Sequence, residues 1–451
     1  MRRAALVRLV LVVLLLGAVL SVPAATGQVS GFGATVTDYE PPVETMTFTV
    51  TDFGTKRSNK DDRTGEATWR VVERTGNCCE NYVTTTPSGR ILDFGGTYVN
   101  FTDDDGRSWK QVRPVTPLVN GEGAIVGAPN GDILGVGWDP YSGDHLQAFK
   151  YSAADDAWYW LEMPLHTPFF DREWIGVVPG PFQTSQGEVP YISFVRGGYP
   201  SKETWLMSTD GLTYLQVSST VIDQTLTEAV ETYLDPAPRA YLDWIQPNTN
   251  TGLTALGPRS ALAAPDFNGD AWALLDGEQL RWTGVSLPEG KLEGRYLSDA
   301  RGRLHNLVPQ ARGFVYGVSP DGGRSWKRIE VALPANRSIE QIDFRANAAA
   351  GVAAVAIHGH DPATQTDVDM LYKIDITRDK PRLTRLYQLG KGDVSASARL
   401  GASIRFDFQT VAILPDGRVA MSFLDSTTMG TSLRTPELVT PALAIELETR
   451  F

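Results

Sequence analysis

The stretch Thr102-Asp103-Asp104-Asp105-Gly106-Arg107-Ser108-Trp109 has a second copy, Ser319-Pro320-Asp321-Gly322-Gly323-Arg324-Ser325-Trp326, and both read Ser/Thr-x-Asp-x-Gly-x-Ser-Trp. An Asp carboxylate can accept N–H groups within its own turn. A Gly there adopts backbone angles that other residues reach only at a cost, and a Trp ring can cover the turn. The motif therefore predicts a β-hairpin in which the structural residues are Asp104, Gly106, Trp109, Asp321, Gly323 and Trp326.

Shortened copies of the motif begin at Ser152 and Ser208. Along the chain, the starts of the four successive copies are therefore 50, 56 and 111 residues apart, and the last spacing is close to two units. Turn signals recur between them, and the predicted units span residues 83–109, 124–160, 174–214, 261–282, 296–326, 342–389 and 408–447. Regular repetition of this length is typical of propellers, in which each blade is one four-stranded sheet. The sequence predicts an all-β fold: a single closed β-propeller of four-stranded antiparallel blades, seven by count, with six as the rival.

The first 27 residues are predicted to be a signal peptide, because a basic start precedes the apolar run Leu9–Leu20 and small residues follow it. We therefore expect a secreted protein without a membrane span in the mature chain. Residues 28–77 are predicted to be an N-terminal segment and residues 78–451 the propeller. Within that segment, the alternating stretch Met46–Val50 is predicted to complete the last blade and close the ring, whereas residues 52–77 are expected to be irregular.

The net charge excludes some classes of partner. It is −12 for the whole chain, and removing three Arg with residues 1–27 leaves 38 − 53 = −15. Such a charge opposes binding to nucleic acid and to anionic membranes. Nothing in the sequence predicts an oligomeric state. The adjacent Cys78 and Cys79 could form a vicinal disulfide or remain two reduced thiols.

The sequence predicts no cofactor, because it contains no Gly-rich phosphate loop or Cys-x-x-Cys motif. The stretch His358-Gly359-His360-Asp361 places two His on one face of a strand, with Asp367 and Asp369 nearby. This pattern is weak for a metal site, and no metal is predicted.

Charged residues recur just before the predicted innermost strands. They are Glu80, Glu122, Asp171, Arg172, Glu173, Arg259, Glu293, Arg295, Asp343, Arg345, Arg405 and Asp407. In a propeller these entrances surround one mouth of the central channel, so the repetition predicts a polar funnel. Arginines among carboxylates suit a small, polar, anionic ligand. Solvated strand ends and structural ion pairs are the alternative interpretation.

The full motifs match the Asp-box (BNR) pattern, and Asp171-Arg172-Glu173-Trp174-Ile175 resembles the Asp-Arg/Lys-x-Trp-Ile segment of bacterial sialidase-like proteins. The chain thus resembles the sialidase (neuraminidase) superfamily. The resemblance implies a retaining exo-α-sialidase-like hydrolase with an Arg triad for the substrate carboxylate, a Tyr nucleophile assisted by Glu, and an Asp acid/base. By position, the catalytic candidates are Asp171 and Glu173, and the substrate-binding candidates are Arg172, Arg259, Arg295 and Arg405. The family's Arg-Ile-Pro opening is absent, and no Tyr is assigned as nucleophile.

Two functions of different classes remain open. One is an exported glycoside hydrolase that acts on sialylated or other acidic glycans. The other is a non-catalytic propeller that binds a glycan or a protein partner. Three arginines converging on one point, above a Tyr–Glu pair, would favour hydrolysis. Arginines spread around the ring, each paired to its own acid, would favour binding.

Overall fold

The structure is a computed structural model. It describes residues 32–54, 62–73, 82–94, 98–114, 122–138, 145–164, 174–184, 187–197, 204–217, 253–257, 260–263, 272–276, 281–285, 295–299, 301, 303–321, 325–334, 337–361, 366–389, 410–423 and 442–451. Every regular element within these residues is a β-strand. Across the same residues, no helix has the length and apolar character needed to cross a membrane. Cys78, Cys79 and the predicted signal peptide lie outside the described residues.

Most strands belong to antiparallel meanders of four. The first of these are β4 (Tyr82–Thr85), β5 (Ile91–Phe94), β6 (Val99–Thr102) and β7 (Trp109–Pro114); β8 (Glu122–Gly127), β9 (Ile133–Trp138), β10 (His145–Ser152) and β11 (Ala157–Pro164); and β12 (Trp174–Thr184), β13 (Gly187–Gly197), β14 (Thr204–Ser208) and β15 (Leu215–Val217). The next are β16 (Leu253–Gly257), β17 (Ser260–Ala263), β18 (Trp272–Asp276) and β19 (Arg281–Val285); β20 (Arg295–Ser298), β21 (Leu304–Gln310), β22 (Gly313–Ser319) and β23 (Lys327–Ala332); and β24 (Ser338–Asn347), β25 (Val352–Asp361), β26 (Thr366–Asp375) and β27 (Arg382–Leu389).

The last unit combines the three final strands with one strand from the N-terminal part of the chain. β28 (Val411–Ile413), β29 (Val419–Phe423) and β30 (Ala442–Arg450) pair in order, and β3 (Arg63–Glu73) pairs with β30 as the fourth strand. The prediction that residues 52–77 are irregular is therefore wrong for β3. Ala67, Trp69 and Val71 are buried and alternate with the polar residues Thr68 and Arg70. The period of two typical of a strand is therefore present in this stretch of the sequence.

Two further N-terminal strands join neighbouring units at their outer edges. β1 (Phe32–Tyr39) lies between β7 and β11, and β2 (Val43–Asp52) lies between β27 and β3. Each therefore merges two units into one nine-stranded sheet. Met46–Val50, predicted to complete the last blade, is part of β2 and lies beside β3, the strand that pairs with β30. Joining outer strands removes open edges of the kind that promote association between chains.

The first strands of the units contact one another in cyclic order: β4 with β8, β8 with β12, β12 with β16, β16 with β20, β20 with β24, β24 with β28, and β28 with β4. Four-stranded meanders arranged around an axis with their first strands innermost form a β-propeller. The all-β propeller predicted from the sequence is therefore the fold of this chain.

The core lies between the faces of neighbouring units. Phe149 of β10 stacks on Trp160 of β11, with ring centroids 5.1 Å apart, and Phe94 of β5 meets it edge-on at 5.0 Å. Gly135 of β9 makes this packing possible, because a Cβ there would lie 1.8 Å from Cζ of Phe149. Any larger residue at position 135 would displace the ring that joins the first two units.

The hairpin at residues 102–109 is held by its own side chains. Oδ1 of Asp104 accepts the N–H groups of Arg107 and Ser108 at 3.0 and 2.9 Å, and its Oδ2 accepts Oγ of Ser108 at 2.8 Å. Burial opposes the charged form, but these hydrogen bonds outweigh it and lower the pKa of Asp104. Gly106 has φ of 79°, and its carbonyl accepts Nε1 of the buried Trp109 at 3.2 Å.

The second copy of the motif has a similar turn. Oδ1 and Oδ2 of Asp321 accept the N–H and Oγ of Ser325 at 2.8 and 2.6 Å. Trp326 is only half-buried, and Gly323 lies outside the described residues. In the shortened copy at residues 208–214, Asp210 accepts the N–H groups of Leu212 and Thr213. All three turns connect the third and fourth strands of their units.

Candidate functional site

Some of the predicted funnel residues do precede first strands. β12 begins at Trp174, directly after Asp171, Arg172 and Glu173, and β20 begins at Arg295. Arg405 stands in the sequence ahead of β28. Asp171, Arg172, Glu173 and Arg405 lie outside the described residues, and only the backbone of Arg295 is described. Their roles therefore stay predictions.

The fourth unit begins one strand earlier than predicted. The predicted fourth unit began at residue 261, but its first strand is β16, and residue 261 belongs to its second strand, β17. Arg259 itself lies outside the described residues. In the sequence it follows β16, so the reason for grouping it with the strand entrances is lost.

Asp343 and Arg345 lie within β24, not at its entrance as predicted. The carboxylate of Asp343 is fully buried and accepts the N–H of Val411 at 2.9 Å and Nη1 of Arg345 at 2.9 Å. Val411 begins β28, so Asp343 joins the innermost strands of two units. The side chain of Arg345 is 29 % exposed. It is an arginine of an innermost strand that keeps contact with solvent.

A Tyr–Glu pair exists, but neither residue belongs to an innermost strand. The hydroxyl of Tyr387 in β27 donates to Oε1 of Glu446 in β30 at 2.8 Å. Both side chains are buried. Burial and the nearby carboxylate raise the pKa of Tyr387 well above its ordinary value. A buried phenol of this kind is a structural hydrogen-bond donor and not an accessible nucleophile.

A buried polar network that the sequence did not predict follows β20. Oδ2 of Asp299 accepts Nε of Arg303 at 2.7 Å and faces Nε2 of His305 at 2.9 Å. Nδ1 of His305 lies 2.6 Å from the hydroxyl of Tyr316, and Arg303 donates to the carbonyl of Ile376 in the next unit at 2.7 Å. The network fixes the first turn of its unit and attaches it to a neighbour.

We expect His305 to make stability fall on acidification. Desolvation lowers its pKa below the ordinary 6.5 and outweighs the hydrogen bond to Asp299. The unfolded chain therefore binds this proton first, and stability is lost as the pH falls below about 6.5. The histidine resonances of the folded protein should include one that titrates below 6.5 and disappears in His305→Asn. As the pH decreases from about 7 to about 5, the unfolding free energy of His305→Asn should fall less steeply than that of the wild type. Equal slopes for the two proteins would contradict the prediction.

The described arginines with ion pairs are spread around the ring, each next to its own acid. Arg90 pairs with Asp103 at 2.7 Å, Arg418 with Asp416 at 2.6 Å and Arg382 with Asp375 at 3.4 Å. Further pairs are Arg63–Asp52, Arg303–Asp299, Arg345–Asp343 and Arg450–Glu448. These pairs do not test the predicted arginine cluster, because Arg172, Arg259 and Arg405 lie outside the described residues.

Basic side chains also connect the turns of neighbouring units. Lys150 donates to the carbonyl of Asp210 at 3.0 Å, and Lys373 donates to that of Gly417 at 2.9 Å. Arg418 binds the carboxylate of Asp105 at 2.9 Å, and Arg70 donates to the carbonyl of the same residue. These contacts lie at the turns after first and third strands, which are opposite to the ends where first strands begin. Structural roles thus account for these four basic side chains.

His358 belongs to a buried pair. Its Nδ1 lies 2.9 Å from Oδ1 of Asp369, which is directly opposite on β26. The side chains of His360 and Asp367 are outside the described part of the chain. Within that part, no group of three His, Cys, Asp or Glu side chains could hold a metal ion.

No protein-family model matches the chain, and no curated protein matches it. Similar solved structures include a leech intramolecular trans-sialidase in complex with 2,7-anhydro-Neu5Ac, which is 10 % identical with a TM-score of 0.36 over 82 % of this chain and 67 % of that one. A chain of a mitotic checkpoint complex is 8 % identical with a TM-score of 0.40, over 84 % and 95 %. The β-propeller domain of the Pyrococcus furiosus trilobed protease is 11 % identical with a TM-score of 0.35, over 77 % and 97 %. At these identities no activity is transferred to this chain.

Proposed function

We propose that this chain is an exported seven-bladed Asp-box propeller that binds an acidic glycan without cleaving it. The seven blades are the six meanders from β4 to β27 and the unit formed by β28–β30 with β3. The Asp-box assignment is supported by the hydrogen bonds of Asp104, Asp210 and Asp321 at equivalent turns. Export follows from the predicted signal peptide.

The binding surface in this proposal is the face at which the first strands begin. Asp171, Arg172, Glu173 and Arg295 stand at the starts of β12 and β20, and Arg405 precedes β28. Because every unit is the same meander, these strand starts belong to one end of the ring. Charged side chains at several starts can contact one polar or anionic ligand from different sides.

The pairing of the described arginines carries the choice of binding over hydrolysis. A sialidase-type site needs several guanidinium groups free to clamp one carboxylate, and a tyrosine that a carboxylate can activate. Arg90, Arg303 and Arg418 each direct Nε towards an aspartate, and the described pair Tyr387–Glu446 is buried. Hydrolysis remains the second candidate, favoured by the segment Asp171–Ile175 at the start of β12.

The test compares Arg172→Ala with Arg450→Ala in the mature protein. The wild type should bind acidic glycans on an array in preference to neutral ones. Arg172→Ala should lose about 1.5–3 kcal/mol of binding free energy, because one charge-assisted contact is removed. Arg450 is exposed and paired with Glu448 on the outer strand β30, so its removal should not change binding. Release of the fluorophore from a fluorogenic sialoside by the wild type would overturn the non-catalytic assignment.

A further inference from the structure

Arg345 differs from Arg90, Arg303 and Arg418 in how its guanidinium is used. Nη1 donates to Oδ1 of Asp343 at 2.9 Å and to the carbonyl of Phe344 at 3.0 Å. These two bonds use both hydrogens of Nη1. By contrast, Arg90, Arg303 and Arg418 each donate Nε–H to an aspartate. The Nε–Nη2 edge of Arg345 makes no hydrogen bond to any described residue.

That edge is the one with which arginine binds a carboxylate through two parallel hydrogen bonds. A guanidinium is most selective when its orientation is fixed before the ligand arrives. Asp343 supplies this orientation, because its fully buried carboxylate is itself held by the N–H of Val411 at 2.9 Å. The side chain of Arg345 is nevertheless 29 % exposed, so solvent reaches a group that the surrounding strands hold in place.

The strand that carries this group, β24, is one of the innermost strands of the ring. β24 is the terminal strand of its sheet, and it contacts the terminal strands β20 and β28 of the neighbouring units. Arg345 lies two residues beyond Asp343, and therefore on the same side of β24. Its bond to the carbonyl of Phe344 keeps the guanidinium close to this innermost strand.

We propose that Arg345 is an anion-binding residue of the central channel, which takes the carboxylate of a small acid or of an acidic sugar. Asp343 is its positioning residue. The site lies within β24, so it does not require the strand-entrance surface assigned above. It holds one carboxylate through the Nε–Nη2 edge and leaves the Asp343–Arg345 pair intact.

Glucuronate and glucose are suitable probes, because they differ in the carboxylate. Calorimetry on the full mature chain should show binding of glucuronate and little binding of glucose. Arg345→Gln should weaken glucuronate binding about tenfold or more, since a charge-assisted pair of hydrogen bonds is lost. Arg345→Lys should recover only part of this loss, because a lysine keeps the charge without the fork. Arg382→Gln is the matched control. Arg382, like Arg345, pairs with an aspartate, but it does so through Nη2 and its side chain is 43 % exposed on an outer strand.

A second measurement covers the case in which Arg345→Gln does not fold. In the wild type, glucuronate should protect Arg345 from an arginine-specific dicarbonyl reagent, as detected by mass spectrometry, and should leave Arg382 reactive. Glucose should protect neither residue. Equal binding of the two sugars by the wild type, or modification of Arg345 at the same rate with and without glucuronate, would overturn the proposal. Glucuronate binding that is lost in Arg172→Ala but retained in Arg345→Gln would place the ligand at the strand entrances instead.

Discussion

Glu446→Leu will lower the free energy of unfolding by about 3–5 kcal/mol. Oε2 of Glu446 accepts Nζ of Lys373 and the N–H of Val419, and its Oε1 accepts the hydroxyl of Tyr387. Lys373 and Glu446 are 7 % and 3 % exposed. Removing the carboxylate leaves a buried ammonium group without its acid, and the energy of desolvating that ammonium group is no longer offset.

Urea denaturation of Glu446→Leu and of the double variant Lys373→Met/Glu446→Leu provides the measurement. The double variant should recover most of the loss, because replacing both charges with apolar side chains removes the unpaired charge. Burial lowers the pKa of Lys373 and outweighs the effect of Glu446, so the single variant should be less unstable at alkaline pH, where the amine is neutral. A double variant as unstable as the single one would contradict this explanation.

This ion pair lies where the ring closes. Lys373 belongs to β26 and Glu446 to β30, which pairs with the N-terminal strand β3. Lys373 also donates to the carbonyl of Gly417 in the turn after β28. The same group of side chains therefore connects the unit that combines β3 with the three last strands to its neighbour. Loss of the pair should weaken the contact on which closure depends.

The local parts of the fold could be predicted from the sequence. A hairpin such as residues 102–109 is stabilised within itself, because Thr102, Asp104 and Ser108 bond to groups at most four residues away. Repetition of such turns then indicated the propeller. The predicted fourth unit began one strand too late, because the turn signal Asp266–Asp270 follows its second strand, β17, and not its first.

The long-range parts could not be predicted in this way. Glu446 contacts a lysine 73 residues away, and Asp343 contacts an N–H 68 residues away. A charged residue in a strand is compatible with a solvent-exposed position, a buried ion pair or a ligand contact, and only its neighbours in three dimensions decide between them. The sequence therefore suggested a funnel residue at Asp343, where the structure has a contact between two blades.

The two full motifs should differ in stability when their tryptophans are replaced. Trp109→Ala should cost about 3–5 kcal/mol of unfolding free energy, whereas Trp326→Ala should cost about 1–2 kcal/mol. Trp109 is 3 % exposed and packs in a buried cluster with Leu414 and Ile445, which belong to the last unit. Trp326 is half-buried and lies over Gly317 of its own hairpin.

The physical reason for the difference is that Trp109 is buried among residues of two units, whereas Trp326 is half-buried. Removal of the Trp109 ring opens a cavity at the junction of the first and last units, where Arg418 and Arg70 also bind Asp105. A cavity in a buried cluster adds to the transfer cost, whereas solvent can fill the space left at a half-exposed site. Thermal or urea unfolding of both variants against the wild type measures the difference. Equal losses would mean that both rings act only as covers of their turns, and a larger loss for Trp326→Ala would contradict the role of Trp109 in closing the ring.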